Sequence, residues 1–203
     1  HLLKMLAHLW ANTSFADGAT ARTLVSGRLP DDITDLLREL DTKARRTGLP
    51  VVAASGSMLG GTSGVREDVL RVLLGGTGWP TLYPQAMFCF WLREQGWLET
   101  VRGEVESAGR DWLDELNDLY VSPHIRRAVL RVDPGLAADE KGVGAALIRQ
   151  FPQPTGDIRT EDFTSAARKA LSPDGAIPLT LLVLDEVQQY ISEDNDRART
   201  VVE

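Results

Sequence analysis

The hydrophobic pattern opens with "HLLKMLAHLW", which spaces Leu2, Leu3, Leu6 and Leu9 as one apolar stripe at helical intervals, with Lys4 and His8 turned elsewhere. No Ser, Thr, Asp or Asn precedes it as a cap, so the pattern predicts a helix from residue one whose first amides are satisfied upstream. A second helix is predicted over "ITDLLRELDTKARR": Asp31 and Asp32 can cap it, Ile33, Leu36, Leu37 and Leu40 recur at helical spacing, and Gly48-Leu49-Pro50 stops it. "VVAAS" at 51–55 then reads as a short buried strand, "GSMLGGTSG" as a loop, and "VREDVLRVLLG" as a helix ending near Gly75-Gly76. Strand, glycine-rich turn and helix form one half of a βαβ unit.

From Gly76 to about Ser172 the pattern is helical throughout. The pieces are "PQAMFCFWLREQ", "WLETVRGEVESAGRDWLDELNDLY", "SPHIRRAVLRV", "EKGVGAALIRQF" and "TEDFTSAARKALS". Gly96, Ser122-Pro123, Asp133-Pro134-Gly135 and Pro152-Gln153-Pro154 divide them. The predicted organisation is a first α/β part over 1–75, an all-helical insertion over 76–172 and a final strand and helix over 173–203.

That last part carries "IPLTLLVLDEVQQYI". Leu179, Leu181, Leu182, Val183 and Leu184 form a near-continuous apolar run, as a central parallel strand covered on both faces requires, with a helix following from about Val187. Open α/β sheets bind ligands beyond the carboxyl ends of their strands, which puts Asp185 and Glu186 at a ligand crevice. Two adjacent carboxylates repel unless a cation or solvent compensates. A hydrophobic strand ending in Asp-Glu fits the Walker B arrangement, in which Asp185 orients Mg²⁺ and Glu186 polarises the attacking water. The other reading is that both simply complement the dipole of the following helix.

Charge and composition narrow the alternatives. The formal charge is −7 and acidic residues crowd the stretch from Glu94 to Asp118, a poor setting for a broad phosphate-binding surface. "KARR" at 43–46 and Arg126, Arg127 and Arg131 form small basic groups on solvated helix faces. The single cysteine, Cys89, excludes an internal disulfide and a multi-cysteine metal site, and core packing is its expected role. The longest apolar runs fall short of the roughly 20 residues that span a bilayer, and the first residues lack the flanks of a signal peptide, so a cytoplasmic protein is expected.

Other chemistry finds little support. His1, His8 and His124 are widely separated and lack zinc-site spacing. No G-x-S-x-G nucleophile elbow occurs. "GSMLGGTSG" follows a strand but holds no Lys to compensate phosphate charge, so a flexible turn is expected, with Ser55, Ser57 and Thr62 as polar contacts at the crevice. Trp79, Tyr83, Phe88, Phe90, Trp91 and Trp97 cluster with Met87 and Leu92 without a basic frame, as a packed core would.

The first helix fits the Walker B reading. In a P-loop protein the G-x-x-x-x-G-K-[ST] segment ends as an amphipathic helix begins. The missing lysine and hydroxyl would then precede His1, whose backbone amide would lie near the α-phosphate. The expected fold is α/β: a partial P-loop NTPase core of the AAA+/ASCE-like kind, with parallel strands and a large all-helical insertion.

"HLLKMLAHLW" followed at long range by "LLVLDEVQQYI" resembles the BrxC/PglY-type P-loop ATPases of bacterial BREX and phage-growth-limitation systems. "KML" together with "DEV-x-QYI" carries the resemblance; the middle of the chain adds only "VVAASGSM" and helical content. It implies ATP and Mg²⁺ as cofactors of the full-length protein, Asp185 as the Mg²⁺-linked aspartate, Glu186 as the catalytic glutamate and His1 at the nucleotide. Gln189 and Tyr190 match without an assigned role. It also implies an oligomer acting with other phage-defence proteins, with DNA as a further partner and no membrane. The Walker A lysine and its Ser/Thr are absent from these 203 residues, so this polypeptide alone is expected to bind nucleotide weakly or not at all. The alternative is a non-catalytic scaffold or interaction module that keeps a P-loop-like fold.

Overall fold

A computed structural model describes residues 2–58, 64–172 and 175–187. In chain order the elements are α1 (Leu2–Ala11), α2 (Ala21–Leu24), α3 (Asp31–Thr47), β1 (Val51–Ser57), α4 (Val65–Gly76) and α5 (Tyr83–Glu94). They continue with α6 (Leu98–Ser107), α7 (Trp112–Asn117), α8 (Pro123–Val132), α9 (Glu140–Gln150), α10 (Thr160–Leu171) and β2 (Leu179–Asp185). Contacts divide the chain into two compact units, one over 1–78 with 156–203 and one over 79–155. Among the described residues no helix is long and apolar enough to cross a membrane.

The first unit is built on a parallel pair. β1 and β2 run side by side, with Val51 opposite Leu179 and Ser57 opposite Asp185. Equal direction and aligned register bring both carboxyl ends to one edge. On one face of β1, small residues let α4 approach closely: a Cβ added at Gly76 would lie 2.3 Å from the Cβ of Ala54, and one added at Gly56 would lie 2.8 Å from Val72. α1 lies across both strands, and the Trp10 indole donates to the Leu179 carbonyl at 3.4 Å. α10 falls in the stretch read as insertion, yet it packs against α4 in this unit.

Several expectations change here. The α1 residues turned inward are Ala7, which is buried, and Leu3, Leu9 and Trp10, which are half-buried; Leu2, Met5 and Leu6 are exposed. Two strands offer α1 a narrow contact, so four leucines cannot all be covered. Asp31 and Asp32 make no capping bond: Pro30 holds the N-cap position and both aspartates stand in the first turn of α3, where they complement the helix dipole. Leu40 is buried, whereas Ile33 and Leu36 are exposed. The helix stops as expected, because Gly48 adopts the left-handed conformation (φ 68°) that favours glycine. Among the described residues the sheet has two strands and Val183 is the buried residue of β2, narrower than the doubly covered central strand expected.

The second unit is helical, and its aromatic cluster is a core. Phe88, Leu92, Val101, Val105, Leu116, Ile125, Val129, Val143 and Leu147 are buried together, with Trp79, Met87, Trp91 and Trp97 packed around them. Phe90 is also fully buried and meets Trp79 edge to face at 4.9 Å between ring centroids. Cys89 lies in the same core, and burial pushes its thiol up to about 12, which leaves it protonated and inert. The long helix read over 97–120 is two helices. Gly109 (φ 74°) turns the chain, and Asp111 caps α7 by accepting from the Leu113 and Asp114 amides.

One buried carboxylate organises this unit. Glu115 accepts from the Ser122 hydroxyl at 2.5 Å and from the Arg110 guanidinium at 2.7 Å, and Ser122 in turn accepts from the Ile125 amide as the N-cap of α8. The Ser122 and Arg110 bonds hold the Glu115 carboxyl below its ordinary value of 4.5. A lowered folded value means this contribution is complete above about pH 4.5 and fades as pH falls through the folded value. Ser122→Ala, which also removes the α8 cap, is expected to cost about 1–2 kcal/mol at pH 7. Its difference from the parent in thermal unfolding should shrink below pH 4.5; a constant difference would assign the whole effect to the cap.

Candidate functional site

The carboxyl edge of the β1–β2 pair is where sequence and fold meet. Asp185 is the last residue of β2; its carbonyl accepts from the Met58 amide at 3.0 Å, extending the ladder one step beyond Ser57. Its carboxylate Oδ1 accepts from the Glu186 amide at 2.9 Å, and both acidic residues are exposed. This bond to the very next amide fixes a sharp turn. Glu186 has φ 60°, a left-handed conformation that costs a non-glycine residue on the order of 1 kcal/mol. Among the described residues, Asp185 Oδ2 has no hydrogen bond and neither acidic residue has an ion-pair partner.

α4 brings a positive charge to the end of β1, on the side away from β2. Arg71 of α4 donates from one terminal nitrogen to the Ser57 carbonyl at 3.4 Å and to Oδ1 of Asp68 at 2.8 Å. Asp68 is 1% exposed, and its Oδ2 has no hydrogen-bond partner. Neither residue was singled out by sequence. The available signal was position: Asp68 falls between Val65 and Val72 on the helical stripe of α4 that packs on β1, with Arg71 one turn on.

At the other end of α4's first turn stands Asp157. Its carboxylate accepts from the Arg66 amide at 3.1 Å, the Glu67 amide at 3.2 Å, the Ile158 amide at 2.9 Å and the Arg66 guanidinium at 3.1 Å. A Cβ at Gly64 would lie 2.0 Å from the Asp157 Cγ, so glycine is what admits this carboxylate. The helix start after the glycine-rich turn therefore holds the protein's own anion. Burial raises the Glu67 carboxyl above its usual range, and the charges of Asp68 and Asp157 add to this against the opposing Arg71. With Arg66 and Asp157 91 positions apart, no local pattern could have announced the contact.

The remaining candidates sort by position. Ser55 and Ser57 are half-buried on β1, with Ser57 at the edge beside Asp185. His1, Thr62, Gln189 and Tyr190 lie outside the described residues. His8 is exposed and bonds Thr13 at 3.1 Å, while His124 lies in the first turn of α8. Among the described residues no group of three His, Cys, Asp or Glu side chains is arranged for a metal. A donor set of one carboxylate oxygen still suits Mg²⁺, which takes one or two carboxylates and completes its shell with water and phosphate. In the second unit a groove of about 610 Å³ between α6 and α8 is lined by Glu99, Gly103, Glu104, His124, Arg127 and Arg131. Its arginines are already paired, Arg127 with Glu140 and Arg131 with Glu104.

No family model matches the chain, and neither a curated protein nor a solved structure matches it.

Proposed function

We propose that this chain is part of an ATP-hydrolysing P-loop domain, with Asp185 as the Mg²⁺-orienting aspartate and Glu186 as the group that polarises the attacking water. The observation that carries the reading is the placement of Asp185 and Glu186: both exposed, at the carboxyl end of a strand paired in parallel with a second strand that ends level with it. Asp185 is held by the Glu186 amide through Oδ1, which leaves Oδ2 for a metal-bound water or the metal itself. Glu186 is exposed at the turn that follows the strand, where its carboxylate meets solvent water that it could activate. Mg²⁺ would supply charge neutralisation of the β- and γ-phosphates. The likeness of "KML" and "DEV-x-QYI" to BrxC/PglY-type ATPases adds the setting: a phage-defence assembly in the bacterial cytoplasm, acting with other defence proteins and DNA.

The test begins with the residues encoded just before His1. A G-x-x-x-x-G-K-[ST] abutting it supports the ATPase, and another residue at the Lys position favours a non-catalytic scaffold. The scaffold reading has its own support in exposed Leu2, Met5, Leu6, Phe15 and Leu24, an apolar surface in the first unit suited to a protein partner. In the longest natural polypeptide that contains these residues, Asp185→Ala is expected to weaken Mg²⁺-dependent ATP binding by about tenfold or more, as loss of a charged contact does. Titration with a fluorescent ATP analogue, with and without Mg²⁺, reads this out; equal affinity in the variant removes Asp185 from the site.

A further inference from the structure

We propose that the groove between α6 and α8 in the helical unit binds an extended polypeptide segment of another protein, one that carries two carboxylates with a basic residue between them. The proposal is independent of the ATPase reading and gives the helical unit a partner of its own. The groove holds about 610 Å³, within the range of ligand pockets. Its α8 wall is cationic, with Arg127 and Arg131 one turn apart, and its α6 wall carries Glu99 and Glu104. Both arginines are exposed, and each is paired through a single nitrogen: Arg127 through Nε to Glu140 at 3.1 Å, Arg131 through Nη1 to Glu104 at 3.0 Å. What remains on each is a fork. Arg127 keeps both terminal nitrogens and Arg131 keeps Nε with Nη2, and neither set has an acceptor among the described residues. Each set presents parallel N–H groups to one carboxylate. The existing pairs are too exposed to hold strongly, so a ligand carboxylate can share or displace them. On the α6 wall, Glu99 is exposed and makes no hydrogen bond or ion pair among the described residues.

Spacing and sign choose the occupant. Four residues of helix advance about 6 Å, close to the roughly 6.6 Å between alternate residues of an extended chain, so two carboxylates two positions apart match Arg127 and Arg131. An extended segment that turns those carboxylates toward α8 turns the side chain between them the other way, where Glu99 favours Lys or Arg. The floor admits the backbone, since a Cβ added at Gly103 would meet nothing within 4 Å. A nucleic acid strand fits this groove worse. It carries one sign only and would set phosphates against Glu99 and Glu104, in a chain whose net charge is −7.

The probe is a fluorescein-labelled peptide centred on Glu-Lys-Glu, titrated by anisotropy with the longest natural polypeptide that contains these residues; a Lys-Glu-Lys peptide is the control. The parent is expected to bind Glu-Lys-Glu at least about tenfold more tightly than Lys-Glu-Lys, and Arg127→Ala and Arg131→Ala each to weaken it about tenfold, as loss of a charged hydrogen bond does. Glu99→Lys should shift the preference toward a Glu-Glu-Glu peptide. Gly103→Leu separates binding from folding. Open space at the Cβ and the poor helix propensity of glycine predict a melting temperature at or above the parent's, while the added side chain fills the floor and abolishes binding. Unchanged affinity in Gly103→Leu, or in both arginine variants, overturns the proposal. So does a parent that binds neither peptide at about 1 mM. An oligothymidylate that binds the groove more tightly than the peptide, or a dimer of the parent that Gly103→Leu dissolves, would give the groove to a different occupant and overturn it as well.

Discussion

Glu186→Gln, made in the longest natural polypeptide that carries the chain, is expected to leave Mg·ATP binding within about twofold of the parent and to slow hydrolysis by about 10²- to 10⁴-fold. The amide keeps the size and the turn, and among the described residues Glu186 makes no hydrogen bond or ion pair through its side chain that the change would break. Only the capacity to accept a proton from water is lost. Binding energy comes from phosphate and metal contacts that the substitution does not touch, so kcat should fall while affinity holds. Steady-state phosphate release and equilibrium binding separate the two. Because the φ of 60° at Glu186 favours glycine, Glu186→Gly is a useful companion: it relieves the backbone while deleting the carboxylate, and it should be as inactive as Gln. Turnover equal to the parent in both variants would remove Glu186 from the chemistry.

What the sequence made legible was local. β1 and β2 were visible as apolar runs, Gly48 as a stop, and the 79–97 aromatics as a core, because each depends on neighbours within a few residues. The split between α6 and α7 was missed because apolar spacing continues through Gly109, and glycine in a helical pattern is tolerated until a capping Asp111 competes for the next amides. The α1 stripe was overread since periodicity shows which residues can share a face, not how wide the partner surface is. At the site the same division holds. Asp185 and Glu186 announced themselves by standing at the end of an apolar strand, but Arg71 and Asp157 act across packing that only the folded chain brings together.

Phe88→Ala should be among the most damaging changes in the helical unit, costing about 3–5 kcal/mol. The side chain is fully buried, and its ring centroid lies 5.8 Å from Phe151, 6.0 Å from Trp91 and 6.5 Å from Trp112, so it joins α5, α7 and the end of α9. Deleting it removes transfer energy and leaves a cavity that three rigid rings cannot close. Stability of roughly 0.05–0.15 kcal/mol per residue gives a unit of this size about 4–12 kcal/mol, so the loss is about a quarter or more of the whole. Tryptophan emission is a selective reporter, since four of the five tryptophans, 79, 91, 97 and 112, fall in this unit. Denaturant unfolding should show the midpoint of the emission change drop sharply for Phe88→Ala and much less for Phe88→Leu. Leu113→Ala, at a side chain 59% exposed, should stay within about 0.5 kcal/mol of the parent. A small effect at Phe88 would mean that the aromatic cluster is not what holds these helices together, and that each pair of helices is stabilised on its own.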